Sequence, residues 1–209
     1  MFTGIINHLG LFKRYHQGQK EIIIEAPSLS PGLEIGESVA VNGVCLSLTK
    51  KEKHTLFFDL SQETLKKTNL SSLRPGKKLN LELPLTLSSL LSGHLITGHI
   101  DSRGKVLRIN EKRPGKRMTI SFPPELKKYF IPKGSVAING VSLTIAALTP
   151  SSFEVELIPI TLKNSNLGEL RRGDEVNIEC DIIGKYVYNW VSEEKANLTS
   201  SKDQKGYPK

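Results

Sequence analysis

At 209 residues with a formal net charge of +8, the chain has room for one or two domains that bury their own cores without covalent staples. No stretch reaches about 18 uninterrupted apolar residues, and Met1-Phe2-Thr3-Gly4 is not a basic region leading into an apolar run, so no membrane span or signal peptide is expected and the reading is a soluble, cytoplasmic protein. The basic residues come as scattered doublets such as Lys50-Lys51, Lys77-Lys78 and Arg171-Arg172, which argues for a solvated surface and against a nucleic-acid partner.

In chain order, Ile22-Ile23-Ile24 within Glu21 to Glu25, Val39 and Val41 alternating with small residues, and Phe57-Phe58 within His54 to Leu60 are short strand-like runs bounded by Gly, Pro or Asn. Asn42-Gly43 between two such runs predicts a type I′ hairpin, because both central residues of that turn need positive φ. Gln62 to Leu70, polar apart from Leu65 and Leu70, fits one short helix. Arg74-Pro75-Gly76 is a turn, Lys78 to Leu83 a final strand, and the Leu- and Ser-rich Pro84 to Gly93 a linker.

After the linker the chain repeats itself. Val39-Ala40-Val41-Asn42-Gly43-Val44-Cys45-Leu46-Ser47-Leu48 returns 97 positions later as Val136-Ala137-Ile138-Asn139-Gly140-Val141-Ser142-Leu143-Thr144-Ile145. Thr64-Leu65, Asn69-Leu70, Gly76 and Leu79-Asn80-Leu81-Glu82 recur at the same offset, whereas the opening Thr3-Gly4 recurs as Thr97-Gly98, which implies a small insertion in the first strands of the second copy. About six short strands per copy, with turn signals every 8–12 residues, argue for a small closed barrel or a sandwich, the barrel being favoured because closure removes exposed edges. The expected fold is therefore all-β, with two tandem six-stranded barrels, residues 1–93 and 94–182.

Ile183, Val187, Trp190 and Val191 then fall on one face of a helix, expected over residues 183–196. That face either packs back on its own barrel or meets copies of itself from other subunits. Residues 197–209, polar with Gly206 and Pro208, are expected to be unstructured.

Where the copies differ, chemistry can sit. Cys45 faces Ser142, Ile5 faces His99, Glu63 faces Ile160 and Pro84 faces Asp181. Each has a plain alternative: Cys45 and Ser142 as small packed residues, His99 as a satisfied polar residue at a strand start, Asp181 as the cap of the following helix. His94 and His99 are five apart, which does not suit a metal pair, and Cys45 and Cys180 lack partners at ligand spacing. Free thiols are expected, with no disulfide, metal or cofactor.

The opening Met1-Phe2-Thr3-Gly4-Ile5-Ile6, the doubled Asn-Gly-Val-Cys/Ser-Leu-Ser/Thr segment, Gly93-His94-Leu95-Ile96-Thr97-Gly98-His99-Ile100-Asp101 and Ile158-Pro159-Ile160-Thr161-Leu162 closely resemble the riboflavin synthase family, α-chain type. The resemblance covers roughly Met1 to Trp190. It implies Greek-key barrels, a C-terminal helix that helps form a homotrimer, and a dismutation in which two molecules of 6,7-dimethyl-8-ribityllumazine exchange a four-carbon unit to give riboflavin and 5-amino-6-ribitylaminouracil. It implies a site between the N-terminal barrel of one subunit and the C-terminal barrel of another, and it raises association with lumazine synthase.

Carried over by position, the first pocket would use Gly4, Ile5 and Ile6, then Cys45, Leu46 and Ser47, then Asp59, Leu60, Ser61, Gln62, Glu63 and Thr64. The second would use Gly98, His99 and Ile100, Lys133, Ser142, Leu143 and Thr144, then Leu157, Ile158, Pro159, Ile160 and Thr161. Phe2 would help place the bound ring. Ser47 stands where Thr is frequent in the family, and Ile160 where a polar residue is common. The resemblance implies that His99 moves protons, that Ser142 with Asp181 activates a hydroxyl or water, that Cys45 acts as nucleophile or proton donor, and that Lys133 stabilises anionic character. Non-catalytic lumazine- or flavin-carrying proteins of the same fold are the alternative. A flavin reductase barrel is weaker, since no Gly-rich nicotinamide-binding βαβ unit follows.

Overall fold

The structure, a computed structural model, describes the backbone of residues 1–203 and the side chains of residues 1–194. Strands β1 (His8–His16), β2 (Glu21–Glu25), β3 (Ser38–Val41), β4 (Val44–Glu52), β5 (Thr55–Asp59) and β6 (Lys78–Glu82) close into an antiparallel barrel in the order β1-β2-β5-β4-β3-β6. A short helix, α1 (Gln62–Lys67), lies between β5 and β6. The second copy repeats this with β7 (Ser102–Lys112), β8 (Gly115–Ser121), β9 (Ser135–Ile138), β10 (Val141–Leu148), β11 (Ser152–Leu157), α2 (Pro159–Asn164) and β12 (Glu175–Cys180), closed in the equivalent order. In each barrel three consecutive strands form a meander and the sixth returns between the first and third, which is the Greek key that the family resemblance implied. The insertion lies in the β7–β8 hairpin, whose strands run to 11 and 7 residues against 9 and 5 for β1 and β2.

Strand alternation decides what each side chain can do. Val44, Leu46 and Leu48 of β4 turn inward, as do Val141, Leu143 and Ile145 of β10, which leaves Cys45 and Ser47, and Ser142 and Thr144, on the outer faces. Register breaks between Phe12 and Arg14, and between Leu48 and Lys50, recur at Val106/Arg108 and Ile145/Ala147. A bulge bends its strand, so the same two bends let each short sheet close. The cores are filled by rings such as Phe12 and Phe58 in one barrel and Phe153 in the other; burying each is worth about 2–3 kcal/mol.

The barrels are joined at their hairpin tips. Asn42 and Asn139 have φ of 47°, and Gly43 and Gly140 have φ of 79°, the positive values a type I′ turn needs. The turns also press together: a Cβ on Gly43 would lie 2.6 Å from the Gly140 nitrogen. Around them six asparagines form a network with approximate twofold symmetry. Asn80 donates its side chain to the Asn139 carbonyl (2.9 Å) and accepts the Asn166 N–H (2.7 Å); Asn177 donates to the Asn42 carbonyl (2.9 Å) and accepts the Asn69 N–H (2.7 Å). These bonds satisfy buried backbone groups of one barrel with side chains of the other.

The last element, α3 (Ile182–Asp203), is longer than the helix read from sequence. No Gly or Pro occurs between Lys185 and Lys205, so nothing in the chain stops the helix near residue 196; residues 197–203, expected to be unstructured, continue it, and residues 204–209 lie outside the described residues. The Asp181 carboxylate accepts the Ile183 N–H at 3.0 Å and starts the helix. One side of α3 rests on barrel two: Tyr188 meets Tyr129 edge-on at 5.6 Å, and Lys185 pairs with Asp101 at 2.7 Å. Ile183, Val187, Trp190 and Val191 face away from it, Trp190 being 63% exposed.

Candidate functional site

The two opening segments cross over. Phe2 and Ile96 pair backbone to backbone (2.7 and 3.1 Å), packed with Ala40 and Ala137 between the barrels. Beyond that pair each segment runs along the other copy's barrel. Gly4 accepts the Ser142 N–H (2.9 Å), and Gly98 accepts the Cys45 N–H (2.9 Å). Ile6 joins the core of barrel two, while Ile100 packs on barrel one. The sequence-based grouping is corrected accordingly: Gly4, Ile5 and Ile6 belong with Ser142, and Gly98, His99 and Ile100 belong with Cys45. The physical reason is that the backbone groups of each opening segment bond to whatever docking brings near, and the docked neighbour of each opening is the other copy.

Glycine is required at both crossings. Gly4 and Gly98 have φ of 78° and 83°, and a Cβ would lie 2.6 Å from the Ser142 Cβ and 2.5 Å from the Cys45 Cβ. Two carboxylates hold these loops. Glu82 accepts the Thr3 N–H (2.7 Å), the Thr3 hydroxyl (2.6 Å) and the Gly4 N–H (3.1 Å). Glu179 accepts the Thr97 N–H and hydroxyl (both 2.7 Å) and the Gly98 N–H (3.0 Å). Burial pushes both carboxyls above the ordinary value, and the donated hydrogen bonds oppose that rise.

The two sites are chemically unequal. In one, Cys45 is half-buried and His99, exposed, follows Gly98 directly. In the other, the Ser142 hydroxyl lies 2.7 Å from Nδ1 of His94, whose backbone N–H reaches the Thr3 carbonyl (3.2 Å). His94 is buried, its Nε2 has no hydrogen-bond partner, and burial pulls its pKa below the ordinary value while the negative charge of Asp181 opposes this. His94 had not been assigned a role from sequence. It falls one residue before the matched openings Met1 and Leu95, so no counterpart in the first copy marks it; its place in the Gly93-His94-Leu95 segment that carries the resemblance was the available signal.

The remaining predicted residues divide by orientation. Extending the Leu48–Phe58 register sets Ser61 across from Cys45, and extending Ile145–Val155 sets Ile158 across from Ser142. The start of α1, with Ser61, Gln62, Glu63 and Thr64, therefore rims the first site, and Ile158, Pro159, Ile160 and Thr161 rim the second. The first rim is polar, with Ser61 capping Thr64 N–H (3.0 Å) and Glu63 paired to Lys67 (2.9 Å); the second exposes Ile158 and Ile160. Asp59 is exposed at the end of β5. Leu46, Leu60, Leu143 and Leu157 point into the cores, and Phe2 is fully buried between the barrels, so each can meet a ligand only through its backbone. Lys133, exposed at φ 67°, donates its N–H to Ile145 (2.9 Å). A cavity of about 920 Å³ lies by the asparagine network, and its walls include neither Cys45 nor Ser142.

A family model described as "Lumazine binding domain" matches residues 3–84 and again residues 97–181. The chain is 37% identical over 206 residues to riboflavin synthase of Actinobacillus pleuropneumoniae, covering 95% of this chain and 96% of that one. It is 35% identical to riboflavin synthase of Bacillus subtilis, covering 99% and 97%. Among solved structures it resembles LumP complexed with riboflavin (TM-score 0.79) and LumP complexed with 6,7-dimethyl-8-(1'-D-ribityl) lumazine (TM-score 0.76), each at 26% identity and covering 86% of this chain. They cover 99% and 98% of those chains, respectively.

Proposed function

Since the chain belongs to the riboflavin synthase family, built on two lumazine-binding domains, we infer that it catalyses the exchange of a four-carbon unit between two molecules of 6,7-dimethyl-8-ribityllumazine, yielding riboflavin and 5-amino-6-ribitylaminouracil. The observation that carries this is the pair of sites equal in backbone and unequal in side chains, Cys45 with His99 against Ser142 with His94. A reaction between two copies of one compound needs two similar pockets, and a donor and an acceptor need different chemistry.

The C7 methyl of the lumazine is acidic because its anion delocalises into the ring, so the reaction needs bases and close stacking of two rings. Positioning is the largest contribution, since holding two reactants in register is worth several kcal/mol of barrier. His99, open to solvent beside Cys45, moves protons at the first site. At the second, neutral His94 accepts a hydrogen bond or a proton from Ser142, and the charge of Asp181 favours the imidazolium that results. Cys45 serves as nucleophile or proton donor, and Lys133 supplies positive charge.

Within one chain the buried Phe2–Ile96 pair lies between the two sites. This supports a homotrimer in which the first site of one subunit meets the second site of the next, with Ile183, Val187, Trp190 and Val191 of α3 as the subunit joint. Among the described residues no helix is long and apolar enough to cross a membrane. The test is direct: incubate the protein with the lumazine and follow riboflavin absorbance and fluorescence. Product formation supports the enzyme. Tight binding without product would favour a carrier role, the second reading, which the likeness to LumP keeps in view.

A further inference from the structure

Each loop that walls a site is held by a carboxylate from its own copy, yet it walls the site of the other copy. Glu179, on the last strand of barrel two, fixes Thr97 and Gly98 through three hydrogen bonds, and Gly98 in turn takes the Cys45 N–H of barrel one. The Thr97 hydroxyl also accepts the His99 N–H (3.3 Å), so the same carboxylate sets the start of the segment carrying His99. Glu82, on the last strand of barrel one, fixes Thr3 and Gly4; Gly4 takes the Ser142 N–H, and the Thr3 carbonyl takes the N–H of His94.

We propose that Glu179 and Glu82 are positioning residues that act across the barrel boundary, Glu179 shaping the Cys45 site and Glu82 shaping the Ser142 site. The proposal rests on reading those sites as the lumazine pockets, but its geometric content does not depend on turnover. A carboxylate suits the task because all the groups facing it are donors. The amide of Gln can keep one oxygen on Thr97 but must turn an NH2 toward the Gly98 N–H, two donors in opposition. Gly98 then shifts, and at a contact where a Cβ would already lie 2.5 Å from the Cys45 Cβ, the shift opens the wall over the thiol.

The experiment compares Glu179→Gln and Glu82→Gln in the full chain. Alkylation of Cys45 by iodoacetamide is followed by peptide mass spectrometry, with buried Cys180 as internal control, beside steady-state turnover of the lumazine. Glu179→Gln is expected to raise Cys45 alkylation by about tenfold, the loosening expected when one hydrogen bond to a charged group is lost, while Glu82→Gln leaves it within about twofold because that loop touches the other site. Both lower kcat more than they raise KM, since they misplace reacting groups rather than remove binding contacts. Equal Cys45 alkylation in Glu179→Gln and the unaltered protein, or a larger rise in Glu82→Gln, overturns the proposal. Should Glu179→Gln fail to fold, Thr97→Val removes one of the three bonds to Glu179 together with the acceptor of the His99 N–H, and must shift Cys45 alkylation in the same direction. An unaltered protein that makes no riboflavin sinks the catalytic reading, and the alkylation pattern still decides the cross-barrel assignment.

Discussion

Truncating Asn80 tests whether the asparagine network holds the barrels together. Asn80 is fully buried and makes two side-chain bonds to the other barrel, to the Asn139 carbonyl and from the Asn166 N–H. Asn80→Ala leaves both backbone groups buried and unpaired, and at about 1–3 kcal/mol for each group the expected loss is about 2–6 kcal/mol. Asn177 makes the matching pair of bonds, to the Asn42 carbonyl and from the Asn69 N–H, so Asn177→Ala should cost the same within about 1 kcal/mol. Against a total stability of about 5–15 kcal/mol, the double variant should lose much of it and unfold in two steps as undocked barrels. Urea unfolding followed by far-ultraviolet circular dichroism and by Trp190 fluorescence measures this. A loss below about 1 kcal/mol in either single variant would refute the argument that these side chains satisfy otherwise orphaned backbone.

Gly98→Ala forces a left-handed residue and a Cβ into the Cys45 contact; a loss of about 1–3 kcal/mol from backbone strain alone and severely reduced riboflavin formation are expected in thermal melts and turnover assays. His94 predicts a pH effect: burial holds its folded-state pKa below the ordinary 6.5, so the stability it contributes is complete above that value and is lost as pH falls through the lowered one. The difference in stability between the unaltered protein and His94→Gln should therefore shrink from pH 7 downward, and a difference flat with pH would contradict the assignment; Glu82 and Glu179, raised by burial, contribute in the opposite sense but are common to both proteins. His94→Gln and Ser142→Ala should each impair turnover and together cost little more than either alone, because they break one 2.7 Å hydrogen bond. Trp190→Glu places a charge on the exposed face of α3; sedimentation should show a shift toward monomer with riboflavin formation lost in parallel, and unchanged sedimentation would remove α3 as the subunit joint.

The sequence by itself determined the architecture of each barrel. Duplication, the Asn-Gly turns and the alternation around Val44-Cys45-Leu46-Ser47 are local properties, and local steric rules convert them into hairpins and an inward and an outward face. Comparing the copies also exposed Cys45 against Ser142 and Ile5 against His99. The same comparison was blind where the copies agree: Asn80 and Asn177, Asn69 and Asn166, Glu82 and Glu179 looked like repetition, although an identical buried polar residue in both copies was the available signal. Only the tertiary structure decided that the openings cross, putting His99 beside Cys45 and His94 on Ser142. The reason is physical: backbone donors and acceptors are satisfied by whatever groups docking brings near, and those that docking brought to Gly4 and Gly98 belonged to the other copy.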